Sequence, residues 1–138
     1  MRHRVLVVDD EPMLRRALGR ELEGSFDVVL AADNAEALRV LHGTEGIAAV
    51  VSDYNLGTAV DGLEILRAAR EMWPSCIRVL VSGSVPTPAA TAAQQQGVAH
   101  AVFEKPWHRG AVRAVLEQQV LGAKAGSGTG DELVAAGV

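Results

Sequence analysis

Cysteine, lysine and long apolar runs are all scarce in this chain of 138 residues. A lone cysteine, Cys76, allows neither an internal disulfide nor a cysteine metal site, which favours a reducing compartment. The first apolar stretch is interrupted at Asp9 and Asp10, too early for a signal peptide or a membrane span. The net charge of -4 argues against a nucleic-acid-binding surface. We therefore expect a cytoplasmic protein that contacts neither a membrane nor nucleic acid directly.

Strand-like and helix-like segments alternate five times along the chain. The runs VLVV, FDVVLA, IAAVVSD, CIRVLVS and AHAVFEK predict strands, and a helical pattern follows each of them. Asn34 is the predicted cap of the second helix, and Thr87 with Pro88 opens a fourth helix that lacks bulky apolar residues. Five such units imply an α/β fold with right-handed crossovers and a parallel sheet covered on both faces. The small residues after Gly122 predict a loose end or linker stub.

Polar residues stand at the ends of four of these runs. Asp9 and Asp10 follow the first strand, Asp53 the third, Ser82 the fourth and Lys105 the fifth. In an open parallel sheet, ligands bind in the crevice outside the carboxyl ends of the strands. The sequence therefore predicts that these side chains converge on one site.

The residue types at this predicted site fit phosphoryl transfer. Asp10 and Asp53, with a nearby backbone carbonyl, suffice to hold a hard divalent cation such as Mg²⁺, and Asp9 can bind it through water. Asp53 is the candidate nucleophile, because a carboxylate can accept a phosphoryl group as an acyl phosphate. Ser82 and Lys105 offer a hydroxyl and an ammonium group to the oxygens of that group. Taken alone, the acidic pair Asp9 and Asp10 is as compatible with a solvated strand end or a helix cap as it is with a metal site.

Lys105 is unusual because the chain otherwise uses arginine, apart from Lys124 near the end. A compact point charge is therefore indicated at this position. Pro106 follows directly, and a cis Lys105–Pro106 peptide bond would be one way to aim the lysine inward.

Together these motifs resemble the receiver domain of two-component response regulators over roughly residues 4–121. The resemblance implies a flavodoxin-like (βα)5 fold with strand order 2-1-3-4-5, a receiver domain over 1–121 and a flexible tail over 122–138. It implies that Asp53 is the phosphoacceptor, that Ser82 is the switch hydroxyl and that Mg²⁺ or Mn²⁺ is the cofactor. The phosphoryl donor would be a histidine kinase or a phosphotransfer protein.

Further roles follow from positions that match the family. Asn55 matches the residue whose backbone carbonyl completes the metal shell, and Gly83 the small residue beside the phosphoryl group. Ser84 and Asn55 flank the path of the hydrolytic water and should set the adduct lifetime. Pro106 matches the cis proline. Val102 stands where the family usually has an aromatic switch residue, with Phe103 one place later, so this chain departs from readout through an aromatic side chain.

The resemblance also implies how the signal leaves the domain. Phosphorylation would shift the fourth helix and fifth strand and change binding through the face formed with the fifth helix. The output would come from a downstream protein or a lost effector domain, and a phosphorylation-dependent homodimer is compatible with this arrangement. The domain would not be an enzyme beyond its own phosphorylation and dephosphorylation.

Two alternatives stay open at this point. One is a receiver-fold scaffold that acts without phosphorylation, against which the intact set of site residues argues. The other is a phosphatase of the haloacid dehalogenase type, which uses similar chemistry. Its nucleophile, however, sits after the first strand, and it normally carries a cap domain for which the chain has no room.

Overall fold

Five parallel strands form a single sheet in the computed structural model, which describes residues 2–55, 62–83 and 88–122. The strands are β1 (Arg4–Val8), β2 (Asp27–Ala31), β3 (Ile47–Asp53), β4 (Ile77–Ser82) and β5 (Ala101–Glu104). Their order is β2-β1-β3-β4-β5, and every neighbouring pair is parallel. The predicted flavodoxin-like topology is confirmed. Ser84, Thr87 and residues 123–138 of the predicted tail lie outside the described ranges.

Helices cover both faces of the sheet. They are α1 (Pro12–Glu23), α2 (Asn34–Gly43), α3 (Gly62–Met72), α4 (Pro88–Gln95) and α5 (Ala111–Leu116), and α5 continues as a π-helical turn over Glu117–Leu121. Buried side chains of α1 and α5 share one core layer, whereas those of α2, α3 and α4 share the other. None of the helices in the described ranges is long and apolar enough to cross a membrane.

The valine-rich central strands follow from this two-sided covering. Adjacent strand residues point to opposite faces, so a strand covered on both sides needs apolar residues at every position. In β1, Val5, Leu6, Val7 and Val8 are all buried in this way. The edge strand β2 is more open, and Leu30 is 38% exposed there.

The cap of α2 differs by one residue from the prediction. Asp33, not Asn34, is the N-cap, because its backbone is extended and its side chain accepts a hydrogen bond from the Glu36 backbone N–H at 2.8 Å. The Glu36 side chain reaches back to accept from the Ala32 backbone N–H at 2.7 Å. Both residues are good cap formers, and the reciprocal bond through Glu36 accompanies the cap at Asp33.

The two helices that flank β4 pack very differently. The buried side of α3 includes large residues such as Leu63, Ile65 and Leu66. The buried residues of α4 are Ala90 and Ala93. Since the free energy gained by burying apolar side chains scales with the area buried, α4 gains less stabilisation from packing than α3 does.

An arginine is buried at the amino end of the sheet. Arg78, the second residue of β4, is 4% exposed. Its Nε donates to the Val98 carbonyl at 2.9 Å, and its Nη1 and Nη2 donate to the carbonyls of Cys76 at 2.9 Å and Gly97 at 3.0 Å. This guanidinium therefore ties the loops before β4 and β5 to each other.

Candidate functional site

The polar residues singled out in the sequence gather at the carboxyl end of the sheet. Asp53 is the last residue of β3, and Ser82 is the last residue of β4. Asp9 directly follows β1, and its backbone N–H donates to the Ala31 carbonyl at 3.2 Å. Lys105 follows β5 and is tied to β4 because its backbone N–H donates to the Ser82 carbonyl at 2.8 Å. The topology thus brings residues from four strand ends to one edge.

Lys105 lies between two carboxylates. Its Nζ is 3.1 Å from Asp53 Oδ2 and 3.5 Å from Asp9 Oδ2. The side chains of both aspartates are less than a tenth exposed, and that of Lys105 is 18% exposed. Ion pairs in such a partly buried setting are screened less by solvent than surface pairs are.

The charges of this cluster shift the ionisation of its members. Burial raises the pKa of the Asp53 carboxyl above its ordinary value, and the charge of Asp9 adds to this, while Lys105 opposes both. Burial alone would lower the pKa of Lys105, but the hydrogen bond and charge of Asp53, together with Asp9, outweigh it and raise that pKa. Lys105 therefore stays protonated at neutral pH, and one ammonium faces more than one carboxylate.

Three carboxylates are close enough to share one cation. Asp9, Asp10 and Asp53 each offer an oxygen, and these atoms lie within 4.8 Å of one another. Asp9 and Asp53 are buried, whereas Asp10 is exposed. An all-oxygen donor set that opens to solvent fits Mg²⁺, which keeps several waters when bound. The residues present therefore fit the expected metal.

Asn55 and Gly83 border this acidic cluster. The Asn55 backbone N–H donates to Asp53 Oδ1 at 3.3 Å, which fixes the orientation of that carboxylate. Gly83 follows Ser82, and a methyl group added there would meet no heavy atom of the described residues within 4 Å. Among the described residues, none therefore fills the space beside Gly83.

Val102 and Phe103 point to opposite faces of β5. Val102 is half-buried and packs with the core layer that includes Ala90 and Ala93 of α4. Phe103 is buried in the other layer, which α1 and α5 cover. Phe103 therefore cannot take the place of an aromatic residue at position 102, because neighbouring strand residues face opposite ways.

The Lys105–Pro106 peptide bond is cis. Ser84, which was expected to influence adduct lifetime, lies outside the described residues.

Two residues near the site were not singled out in the sequence. Arg15 of α1 donates from Nη1 to the Asp9 backbone carbonyl at 2.8 Å, which fixes the chain where β1 leads into α1. At Gly62, a Cβ atom would lie 2.1 Å from the Asp53 carbonyl oxygen, so only glycine fits there without a shift of the backbone. Neither contact has a local sequence signal, because each depends on tertiary approach.

This geometry agrees with the comparison against protein families. The family model for the response regulator receiver domain matches residues 5–117. The chain therefore belongs to the response regulator receiver domain family and is a receiver domain of the two-component signalling class.

Curated relatives carry the same domain within longer proteins. The chain is 31% identical over 103 residues to the hydrogenase transcriptional regulatory protein HoxA of Cupriavidus necator, covering 75% of this chain and 21% of HoxA. It is 33% identical over 117 residues to the C4-dicarboxylate transport transcriptional regulatory protein DctD of Pseudomonas aeruginosa, covering 82% of this chain and 25% of DctD. The chain thus spans between a fifth and a quarter of the length of these two relatives.

Solved structures agree on the fold. A CheY-like response regulator receiver domain protein from Methanospirillum hungatei superimposes with a TM-score of 0.81 at 20% identity. The match covers 92% of this chain and 100% of that one. At this identity the likeness establishes the receiver fold alone.

Proposed function

We propose that this chain accepts a phosphoryl group on Asp53 from the phosphohistidine of a histidine kinase or phosphotransfer protein, and that this modification changes its binding to a partner. The observation that carries the proposal is Lys105 Nζ at 3.1 Å from Asp53 and 3.5 Å from Asp9, within a three-carboxylate cluster at the strand ends. A carboxylate nucleophile beside a fixed ammonium and further acidic ligands suits metal-assisted acyl phosphate formation.

The chemical step is a displacement at phosphorus. An Asp53 carboxylate oxygen forms the new P–O bond while the P–N bond of the donor breaks, and the imidazole nitrogen keeps the electron pair and takes a proton. The Asn55 N–H holds Oδ1 of Asp53, and Lys105 is within reach of the oxygens of the arriving group. The Ser82 hydroxyl, at the end of the neighbouring strand, is the proposed second donor to those oxygens.

A divalent cation, Mg²⁺ or Mn²⁺, is the proposed cofactor. Asp10, Asp53 and the Asn55 backbone carbonyl would hold it, with Asp9 acting through water. When bound, it would reduce the repulsion between the Asp53 carboxylate and the phosphoryl oxygens. The acidic cluster supports this assignment because its oxygen ligands and partial exposure suit a hydrated hard ion.

The proposed output is a shift of α4 and β5 that changes the surface formed by α4, β5 and α5. The packing of α4 supports this proposal, because its buried residues are the small Ala90 and Ala93. A movement of α4 would therefore expose little buried apolar area. Val102 packs with the core layer that includes α4 and lies three residues before Lys105, so it connects the site to that helix. Amide exchange with and without a phosphate mimic tests the shift; unchanged protection over 88–95 and 101–104 would contradict it.

The downstream step belongs to another module. HoxA and DctD are named as transcriptional regulatory proteins, and this chain matches only a part of each. We propose that a partner protein or an effector domain supplies the output, in the cytoplasm, and that the receiver part itself does not contact nucleic acid. A phosphorylation-dependent homodimer is one form that the switched surface could take.

Labelling with a small phosphodonor and Mg²⁺ tests the proposal. The unaltered chain should form an adduct, Asp53→Asn should form none, and Asp10→Asn should need more Mg²⁺. The exposed α3 change Glu71→Gln is the matched control and should behave as the parent. No adduct in the parent would support a phosphorylation-independent scaffold, and steady turnover of phosphoesters would support a phosphatase; either result would overturn the proposal.

The adduct lifetime tests the flanking positions separately. Asn55→Ala and Ser84→Ala should change the rate of adduct hydrolysis more than they change the rate of adduct formation. Equal hydrolysis rates in both variants and the parent would remove these two residues from the proposed role.

A further inference from the structure

An open groove lies between α1 and the start of α5, on the face of the sheet that these two helices cover. Its apolar part consists of Leu14 and Leu18 of α1 and Trp107, which precedes α5. Leu18 is buried, whereas Leu14 and Trp107 are half-buried and keep apolar surface open to solvent. Such a surface is a candidate for covering by another segment.

The rim of this groove is positively charged. Arg20, Arg109 and Arg113 line it, and all three are exposed, whereas Glu21 is the acidic residue of the lining. Among the described residues, the ion pairs of these arginines are limited to Arg113 with Glu117 at 4.0 Å. Three arginines around an apolar floor, in a chain whose net charge is -4, favour an acidic and apolar occupant.

The chain itself contains such a segment. Residues 131–138 read DELVAAGV, with Asp131 and Glu132 followed directly by Leu133 and Val134. Since α5 and the π-helical turn end at Leu121, the chain leaves this face at the far end of the helix that borders the groove.

The length of the intervening chain permits a return to the groove. The eight residues 123–130 can span at most about 27 Å. Residues 111–121 cover about 16 Å at a helical rise. The intervening chain is therefore long enough for residues 131–138 to reach Arg113 and Arg109.

We propose that residues 131–138 dock into the groove between α1 and α5 of the same molecule. Asp131 and Glu132 would pair with the rim arginines, and Leu133 and Val134 would cover Leu14, Leu18 and Trp107. This contact does not depend on the proposed phosphoryl transfer.

A spin label on the segment tests this in the full chain. Gly137→Cys can be labelled selectively, because Cys76 is 2% exposed and burial raises the pKa of its thiol. Docking predicts paramagnetic broadening of the amides from Leu14 to Glu21 and of the Trp107 indole N–H. Broadening confined to residues close to Gly122 would overturn the proposal.

Charge reversal supplies a second readout. The double change Asp131→Lys with Glu132→Lys should remove the broadening, and adding Arg109→Glu with Arg113→Glu should restore it. Arg39→Glu, an exposed arginine on α2, is the matched control and should leave the broadening unchanged. Broadening that is insensitive to these reversals would refute the pairing.

A mixing experiment distinguishes docking within one molecule from docking between two. An isotope-labelled chain without the spin label is mixed with an unlabelled chain that carries it. Absence of broadening in the mixture is expected for docking within one chain. Broadening of the amides from Leu14 to Glu21 in the mixture would place the segment on a second copy and contradict the proposal.

Discussion

At the carboxyl end of the sheet Lys105 lies between Asp53 and Asp9, whereas at the amino end Arg78 is surrounded by backbone carbonyl groups. Within the described ranges, no carboxylate lies within ion-pair distance of Arg78, so neutral acceptors alone satisfy that buried cation. At the other end, one ammonium cannot neutralise three carboxylates. The protein's own carbonyl groups thus satisfy the buried cation at the amino end of the sheet. The carboxyl end, by contrast, keeps an excess of negative charge that favours binding a metal cation.

The largest expected effect on stability comes from removing the Arg78 guanidinium at the amino end of the sheet. Arg78→Met removes the donors to the carbonyls of Cys76, Gly97 and Val98 and leaves buried acceptors unpaired. We expect the free energy of unfolding to fall by about 3–5 kcal/mol in urea denaturation. Arg78→Lys, which keeps the charge but not the planar fork, should lie between this variant and the parent.

The control for Arg78 is Arg39→Met on the exposed side of α2, which should change the free energy of unfolding by less than about 0.5 kcal/mol. Equal stability of Arg78→Met and Arg39→Met would show that the amino end is not a structural clamp.

The next largest effect tests the close approach of α3 to the end of β3 at the carboxyl end of the sheet. Gly62→Ala would place Cβ at 2.1 Å from the Asp53 carbonyl oxygen, so the start of α3 must shift away from the end of β3. We expect a loss of about 3 kcal/mol in the free energy of unfolding. Gly43→Ala, at the end of α2, meets no heavy atom of the described residues within 4 Å and should leave stability within about 0.5 kcal/mol of the parent. Similar values for both variants would contradict the close approach at Gly62.

A pH effect is expected at the amino end. His100 Nδ1 accepts the Arg78 backbone N–H at 3.0 Å, and burial together with the Arg78 charge lowers the pKa of His100 to about 4. The unfolded chain, in which His100 has its ordinary pKa near 6.5, binds the proton first as pH falls. The free energy of unfolding should therefore decrease between about pH 6.5 and pH 4.

His100→Asn keeps an acceptor near the position of Nδ1 and does not titrate. The difference in the free energy of unfolding between this variant and the parent should change by about 2 kcal/mol over that range, less than the full pKa shift because His100 is partly exposed. A difference that is independent of pH would contradict the assignment.

The smallest expected effect is metal binding at the carboxyl end. Mg²⁺ at ten times its dissociation constant should raise the free energy of unfolding by about 1.4 kcal/mol, because it binds the folded state. Asp10→Asn should lose most of this gain at the same Mg²⁺ concentration, whereas Glu71→Gln should retain it. If Mg²⁺ raised the free energy of unfolding of Asp10→Asn as much as that of the parent, the metal site would lie outside this cluster.

The sequence was sufficient for the strand order and for the convergence of Asp9, Asp53, Ser82 and Lys105 on one edge. The convergence follows from apolar runs that end in polar residues and from the rules for parallel sheets, whereas the strand order was implied by the resemblance to receiver domains. The cap at Asp33 was missed because Asn34 is an equally good cap former one position away.

The amino end could not be predicted in the same way. Arg78 stands near the start of a strand, where a charged residue usually reaches solvent, and two of its acceptors lie 19 and 20 residues later in the chain. Their position depends on how α4 and its following loop return to the sheet. Likewise, the fit at Gly62 depends on the approach of α3 to the end of β3, which no local pattern encodes.

The most direct test is to map the phosphoryl group itself. The chain is treated with a small phosphodonor in Mg²⁺, the acyl phosphate is trapped by borohydride reduction, and the reduced position is located by tandem mass spectrometry. We predict a single reduced position, Asp53, that is lost when Mg²⁺ is chelated before the donor is added. Reduction at Asp9 or Asp10, or labelling that persists without a divalent cation, would contradict the account.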